Sequence, residues 1–472
     1  MLLSFNKDVE HSKWHDHEHP KGPNYKLLNL RKWNRKHVIF VLVVVTILVV
    51  FFFYYYNVER VVVPRASIVL NSDTLQQQQQ QGDEKRVPIS SQNEFINFSR
   101  LKQVSDHDLE GRNILLALMT VENLHELLMK KDNFESEMPT YWIMAKQWIC
   151  RVKKLGITNF VLFVYIDPSQ WKTLKQRQDI EKLIYSKLLD VPMEDISDDH
   201  KSIITFTTDD ISKLILSFSK NTKFHEKYHL LYKNYLDQLH KHDNVIPQEF
   251  FTTHWEFITL LKPVIVWRCN TLGFDIFFSD LDVVIFKSPI QYLQQSNERK
   301  NFDVIFQMES CGDNEDVVQA MGHENVKINT GVYYVASTHK AQRFLEFWIE
   351  PIVFDILYFF VPTDETITKK HQLTRTETTN DQAILNSLIT NERKSQKTSI
   401  TSLIGFFPVR LFPNRCQFSF LVNEHRPEGS KQFKDTLILY HINGVWMTRQ
   451  KIAFLKQQEG FLSLDHSTLK CL

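Results

Sequence analysis

The chain has 472 residues, 43% of them hydrophobic and 24% charged, enough for one large or two ordinary globular domains and unlike a disordered tail. Lysine and arginine number 56 against 55 aspartates and glutamates, a formal charge of +1, which argues against nucleic acid as a partner. The five cysteines, Cys150, Cys269, Cys311, Cys416 and Cys471, contain no C-x-x-C pair, so zinc ribbons and thioredoxin-like redox sites are excluded.

The balanced total conceals a basic start: residues 1–37 hold eight lysines and arginines against four acids. His11, His15, His17 and His19 are interleaved with acids and a lysine and read as part of a solvated cytosolic tail. From Val38 to Tyr56 nineteen residues carry no charge, and a helix of that length spans roughly 28 Å, enough to cross a bilayer. Lys26, Arg31, Lys32, Arg35 and Lys36 precede this span without an acid, which predicts a cytosolic N-terminus. The long charged region and the tyrosines at 54–56 fit an uncleaved signal anchor better than a cleaved signal peptide. Residues 57–110, with six consecutive glutamines from Gln76 to Gln81, read as a low-complexity stem. The sequon Asn97-Phe98-Ser99 is then an expected glycosylation site on the lumenal side.

From about Gly111 to the end at residue 472 the pattern changes to alternating strands and helices. Ile114–Thr120 is a short apolar strand; a helix over Tyr141–Leu155 stops before Gly156, and Asn159–Ile166 is a second strand. Residues 172–241 are polar and read as an insertion with helical segments. A helix bearing Phe257, Leu261, Val264 and Ile265 is expected to kink or start near Pro263. Phe274–Phe286 reads as one buried strand, with further strands at Phe302–Met308, Asn329–Val335 and Leu437–His441 and helices after Thr338 and after Asn380. This alternation predicts an α/β fold with a mostly parallel sheet and a ligand at the carboxyl ends of its strands. On that ground alone Thr120, closing the first strand, is placed near a nucleotide.

The chemistry concentrates at Asp280-Leu281-Asp282. Acids at i and i+2 share one side of an extended chain, and hard oxygen ligands suit Mg²⁺ or Mn²⁺. Such a triplet is common by chance, and Asp106-His107-Asp108 is a second example with no strand before it. What sets Asp280 and Asp282 apart is the apolar run around them, where uncompensated carboxylates would be costly. Pairing with Lys262 or Arg268 would make the two acids structural.

The segment Gly273–Pro289, G-F-D-I-F-F-S-D-L-D-V-V-I-F-K-S-P, resembles the metal-binding segment of the nucleotide-diphospho-sugar transferase family, GT-A-fold (Rossmann-like) glycosyltransferases. Asn329-Thr330-Gly331 is similar to that family's N-T-G strand, Asn380-Asp381-Gln382 to its D-Q helix start, and His441-Ile442-Asn443-Gly444 to its late H-x-N motif, in the same order. The resemblance implies that Asp282 ligates a metal, that Asp280 binds the metal or the donor ribose, and that His441 completes the coordination. It places Asn329, Thr330, Gly331, Asn443, Gly444 and Lys262 with the donor, and Lys451, for which Arg449 is an equal candidate, on the diphosphate. Asp381 is implied to lie near the sugar or acceptor hydroxyl, although an acid in a first helical turn also complements the macrodipole. Glu309 can face the transferred sugar or be a solvated strand end, and His441 can be a strand-end histidine bonded to backbone.

The resemblance thus implies a metal-dependent glycosyltransferase using Mn²⁺ or Mg²⁺, moving a hexosyl or pentosyl unit from a nucleotide-diphospho-sugar to a glycan or glycoprotein hydroxyl with retention, on a type II Golgi membrane anchor. A haloacid-dehalogenase-type phosphatase shares the D-x-D-x-V pattern, but its motif belongs on the first strand of its domain with a later acidic pair, whereas Asp198-Asp199 and Asp209-Asp210 come earlier here. A third reading is an inactive lumenal binding protein or tether. In an oxidising lumen the five cysteines are expected to form two disulfides and leave one thiol.

Overall fold

In a computed structural model of the chain the described residues are 113–121, 140–166, 171–196, 202–220, 254–309, 327–359, 380–395, 400–418, 435–443, 451, 464–465 and 470–471. The expected tail, membrane span, stem and glycosylation site lie outside them, as do Asp106, Gly444 and Arg449. Among the described residues no helix is long and apolar enough to cross a membrane.

Seven strands form one sheet: β1 (Asn113–Val121), β2 (Phe160–Ile166), β3 (Ile203–Phe206), β4 (Asp275–Ser279), β6 (Val304–Met308), β7 (Ile328–Val335) and β8 (Ile404–Phe406), in the order β3-β2-β1-β4-β7-β6-β8. Pairing is parallel except where β7 runs antiparallel to both β4 and β6. Two short antiparallel ribbons complete the strands, β5 (Val283–Ile285) with β9 (Leu439–His441), and β10 (Leu464–Asp465) with β11 (Lys470–Cys471). The helices are α1 (Thr140–Lys154), α2 (Leu174–Leu189), α3 (Thr208–Lys220), α4 (His254–Thr271), α5 (Pro289–Gln295), α6 (Glu298–Asn301), α7 (His339–Phe359) and α8 (Asp381–Lys394).

The strands are apolar on both faces because both faces are covered. Along β1, Ile114, Leu116 and Leu118 pack with residues of α3, α4, α7 and α8, while Leu115, Ala117 and Met119 pack with those of α1 and α2. The same alternation sends Phe278 and Tyr333 to the first layer and Phe277 and Tyr334 to the second. The α1 terminus follows the glycine signal: Gly156 takes φ of 66°, and the basic residues Arg151, Lys153 and Lys154 fill the last turn.

Three expectations are corrected. Residues 172–241 are not simply an insertion, since they supply the edge strand β3 and the helices α2 and α3; β3 is four residues long and leaves little periodic signal. Of the two alternatives for Pro263 the helix start is overturned, since α4 runs through the proline with Leu260, Leu261, Val264 and Ile265 buried on both sides of it. The run Phe274–Phe286 is not one strand: β4 ends at Ser279, Asp280–Asp282 form the connection, and β5 leaves the main sheet to pair with β9. The acids were too polar for a strand interior, and the chain turns there.

Candidate active site

The break between β4 and β5 is held from several sides. Asp280 donates its backbone N–H to the Gly331 carbonyl at 2.7 Å, and Ile442 donates to the Asp282 carbonyl at 3.0 Å. Below, Trp148 of α1 donates its indole N–H to Ser279 Oγ at 2.9 Å. The β5–β9 pairing sets Val283 opposite His441, so residues far apart in sequence meet at the carboxyl end of β4.

Asp280, Asp282 and His441 each offer one ligand atom, and these atoms lie within 4.8 Å of one another. His441 Nε2 is 3.4 Å from Asp282 Oδ1, and both side chains are almost wholly buried. Two carboxylates and one imidazole fit Mn²⁺ or Mg²⁺ better than a soft ion. The pocket floor is equally specific: a Cβ on Gly331 would stand 2.2 Å from His441 Cε1 and 2.8 Å from Asp280 Oδ2. The imidazole and the carboxylate leave no room for a side chain, so this position requires glycine.

Two lysines frame the acids. Lys262 of α4, itself buried, has its ammonium 3.2 Å from Asp280 and 3.4 Å from Asp381 Oδ2. The second contact is an ion pair without a directed hydrogen bond, so that oxygen of Asp381 has no hydrogen-bond partner. Lys451 is 2.5 Å from Asp282 Oδ2. Burial alone would raise the Asp282 carboxyl, but His441 and Lys451 outweigh it and hold the group well below the usual carboxylate range. Asp280, with 32% of its side chain exposed, goes the other way: withdrawal from water and the neighbouring Asp282 raise it against the pull of Lys262. Burial likewise pushes Asp381 up to about 6, with Lys262 opposing. Lys262 and Lys451 are both raised, because the carboxylates beside them overcome the burial penalty.

Asp381 begins α8 beside its cap Asn380, which accepts from Ala383 N–H at 2.7 Å. Its carboxyl is buried in the Lys262 cluster, so complementing the helix dipole is not its whole role. Gln382 accepts from Thr330 N–H at 3.2 Å. Glu309 is no solvated strand end: its Oε2 accepts from Asn329 Nδ2 and, at 3.2 Å, from Asn443 Nδ2, while Asn329 Oδ1 accepts from Gly331 N–H at 2.8 Å. One carboxylate thereby ties the N-T-G strand to the H-x-N turn. His441 is not bonded to backbone through its ring; its Nδ1 is 2.8 Å from Gln307 Oε1. Thr120 pairs with Tyr165 at the carboxyl end of β1, on the site's edge of the sheet.

Residues 218–352 match the model of the nucleotide-diphospho-sugar transferases. The matched segment is similar to that family. The transferase match covers under a third of the chain and includes Lys262, Asp280, Asp282, Glu309 and Asn329–Gly331; Asp381, His441 and Lys451 lie beyond it and reach the same place through the fold. Among solved structures, the chain is similar to a galactosyltransferase LgtC in complex with donor and acceptor sugar analogs, with 11% identity over 76% of this chain and 97% of that one and a TM-score of 0.30. It is also similar to mouse xyloside xylosyltransferase 1 in apo form, with 11% identity over 70% and 98% and a TM-score of 0.28. Superpositions this loose decide nothing about substrate. A comparison with curated proteins finds no match.

Sequence reasoning missed Gln307, although one polar residue in the apolar strand V-I-F-Q-M, 1% exposed, was a readable signal. It also assigned no separate role to Gln382. Of the acidic pairs a phosphatase could draw on, Asp198-Asp199 lies outside the described residues, and Asp210 accepts from Thr207 N–H and Oγ1 at the start of α3, beside the edge strand β3 and away from the central strand β4.

Proposed function

We propose that this chain is a metal-dependent GT-A glycosyltransferase that moves a sugar from a nucleotide-diphospho-sugar to an acceptor hydroxyl of a glycan or glycoprotein, with retention at the anomeric carbon. The observation that carries the reading is the convergence of Asp280, Asp282 and His441 at the end of β4, within and just beyond the transferase segment. A divalent ion held by these three groups would offset charge on the departing nucleoside diphosphate.

The chain's own residues supply the rest. Lys451, already at Asp282, is placed to donate to a phosphate oxygen, and Asp280 at the half-open mouth is the acid nearest a donor ribose. Lys262 offsets the charge of both Asp280 and Asp381, and Asp381 is the acid that this reading assigns to the sugar or acceptor hydroxyl. Glu309 holds Asn329 and Asn443 in position, with Thr330 and Gly331 as donor contacts and Thr120 at the nucleotide end; Gly444, outside the described residues, is assigned to the donor by the same reading.

In the same reading residues 1–37 face the cytosol, 38–56 anchor the chain in the Golgi membrane as a type II protein, 57–110 form a stem glycosylated at Asn97, and 111–472 are the catalytic domain. The disulfide Cys150–Cys471 and the disulfide-bonded Cys416 support an oxidising compartment. Screening the purified full chain against a panel of nucleotide-sugars, with Mn²⁺, with Mg²⁺ and with a chelator, tests the activity. Transfer from one donor that stops with chelator is expected; phosphate release without sugar transfer would overturn the reading.

A further inference from the structure

Gln307 lies on β6, between β7 and the edge strand β8, fully buried, with both ends of its amide engaged. Its Nε2 is 2.9 Å from the Phe412 carbonyl, and its Oε1 is 2.8 Å from His441 Nδ1. A backbone carbonyl can only accept, so the group facing it must be the amide NH₂. The Gln307 oxygen that remains can only accept as well, and Nδ1 of His441 must therefore carry a proton. In the neutral ring this leaves Nε2 as a bare lone pair, and Nε2 is the atom that faces Asp282 at 3.4 Å. The opposite tautomer would set two acceptors against each other at Gln307 and turn an N–H where a cation ligand is needed.

We infer that Gln307 is a positioning residue that fixes His441 in its Nδ1–H tautomer and so prepares Nε2 as a metal ligand. The inference rests on the reading of Asp280, Asp282 and His441 as a metal site. The fold gives the device its stiffness. Phe412 stacks on Phe407 at 4.3 Å between ring centroids and follows the edge strand β8, while His441 closes β9, so the amide bridges two separate connections across β6. Asn414, two residues after Phe412, donates its Nδ2 to the Met308 carbonyl at 3.0 Å and forms a parallel bridge with His441, which keeps the carbonyl and the imidazole in fixed relation. Partners that orient a ligating histidine in this way are ordinarily worth about 10- to 100-fold in metal affinity.

Two substitutions separate orientation from packing. Gln307→Met removes both hydrogen bonds at similar volume, whereas Gln307→Glu exchanges the donation to Phe412 for a buried carboxyl oxygen facing that carbonyl but keeps an acceptor for Nδ1–H. A packing role would make the two variants alike. Solid-state NMR of the ¹⁵N-histidine-labelled full chain, metal-free and at a pH raised until the His441 ring carries a single proton, reads the tautomer directly, with the His441 signals identified by difference from His441→Gln. Manganese affinity is read separately by the electron paramagnetic resonance of free Mn²⁺.

Wild type and Gln307→Glu should show protonated Nδ1 and bare Nε2, and should bind Mn²⁺ within a few fold of each other. Gln307→Met should show a mixture of tautomers and bind Mn²⁺ about 10- to 100-fold more weakly. If Gln307→Met keeps the pure Nδ1–H signal and wild-type affinity while His441→Gln binds weakly, the role of Gln307 is refuted and the metal site stands. If His441→Gln binds Mn²⁺ as tightly as wild type, the metal reading itself has failed. Should Gln307→Met not fold, a proton found on Nε2 in wild type or in Gln307→Glu overturns the inference by itself.

Discussion

At the scale of single residues the site works by opposed charges at close range. Asp381 is the clearest case, because burial holds its carboxyl at about 6 against an ordinary 3.8. A raised acid binds its proton more tightly in the folded state, so its contribution is present at low pH and is lost as pH rises through about 4 to 6. Wild type should therefore lose stability relative to Asp381→Asn over that window, by about 2–3 kcal/mol, as read from urea unfolding at stepped pH. An equal slope for both proteins would contradict the burial argument. Gly331 carries a steric prediction. Gly331→Ala drives a methyl into His441 and Asp280, and should cost about 1–3 kcal/mol by thermal unfolding together with most of the Mn²⁺ affinity. Much of this was legible beforehand: Asp280, Asp282, His441 and Asp381 were named from their motifs, and they do converge. The steric demand on Gly331 and the links through Glu309 were not legible, because each depends on side chains more than twenty positions away or on other elements.

At the scale of elements, the decisive arrangement is the switch of the chain from β4 into β5. Local pattern could not show it, since isoleucine and phenylalanine occur on both sides of the acids and the two strands differ in which partner they meet. The helices were easier, because α1 and α8 announce themselves by a C-terminal glycine and by an asparagine cap. Helix α8 is clamped to the start of β7 by Asn386, which accepts from Ile328 N–H at 2.8 Å and donates to the Ile328 carbonyl at 2.9 Å. Asn386→Leu leaves both backbone groups without these partners and should cost about 1–3 kcal/mol. Because the clamp also sets Thr330 against Gln382, the variant should show a raised KM for donor as well as a lower Tm; a normal Tm would mean that α8 is held by packing alone.

At the scale of the whole molecule, the sheet is a platform covered on both faces, and the ends of the described chain are tied to it. Cys150 in α1 is bonded to Cys471, 321 positions later, and Cys416 is disulfide-bonded as well, which leaves Cys269 as the free thiol among the described cysteines. The count of two bridges and one thiol was readable; the pairing was not, because it depends on which elements the topology brings together. Alkylation of the folded chain should leave Cys269 unmodified, since it is buried and burial pushes its thiol up, and denaturation without reductant should expose one thiol per chain. Five reactive thiols would contradict that account. The measurement that tests the central claim most directly is made on Asp282→Asn. If Asp282 holds the ion that carries the diphosphate, the variant should still fold, with a metal-free Tm somewhat below wild type because Lys451 and His441 lose the carboxylate they pair with. It should lose both sugar transfer and the stabilisation that Mn²⁺ with nucleoside diphosphate confers on the wild type. Transfer by Asp282→Asn at the wild-type rate, or undiminished stabilisation by Mn²⁺ and nucleoside diphosphate, would contradict it.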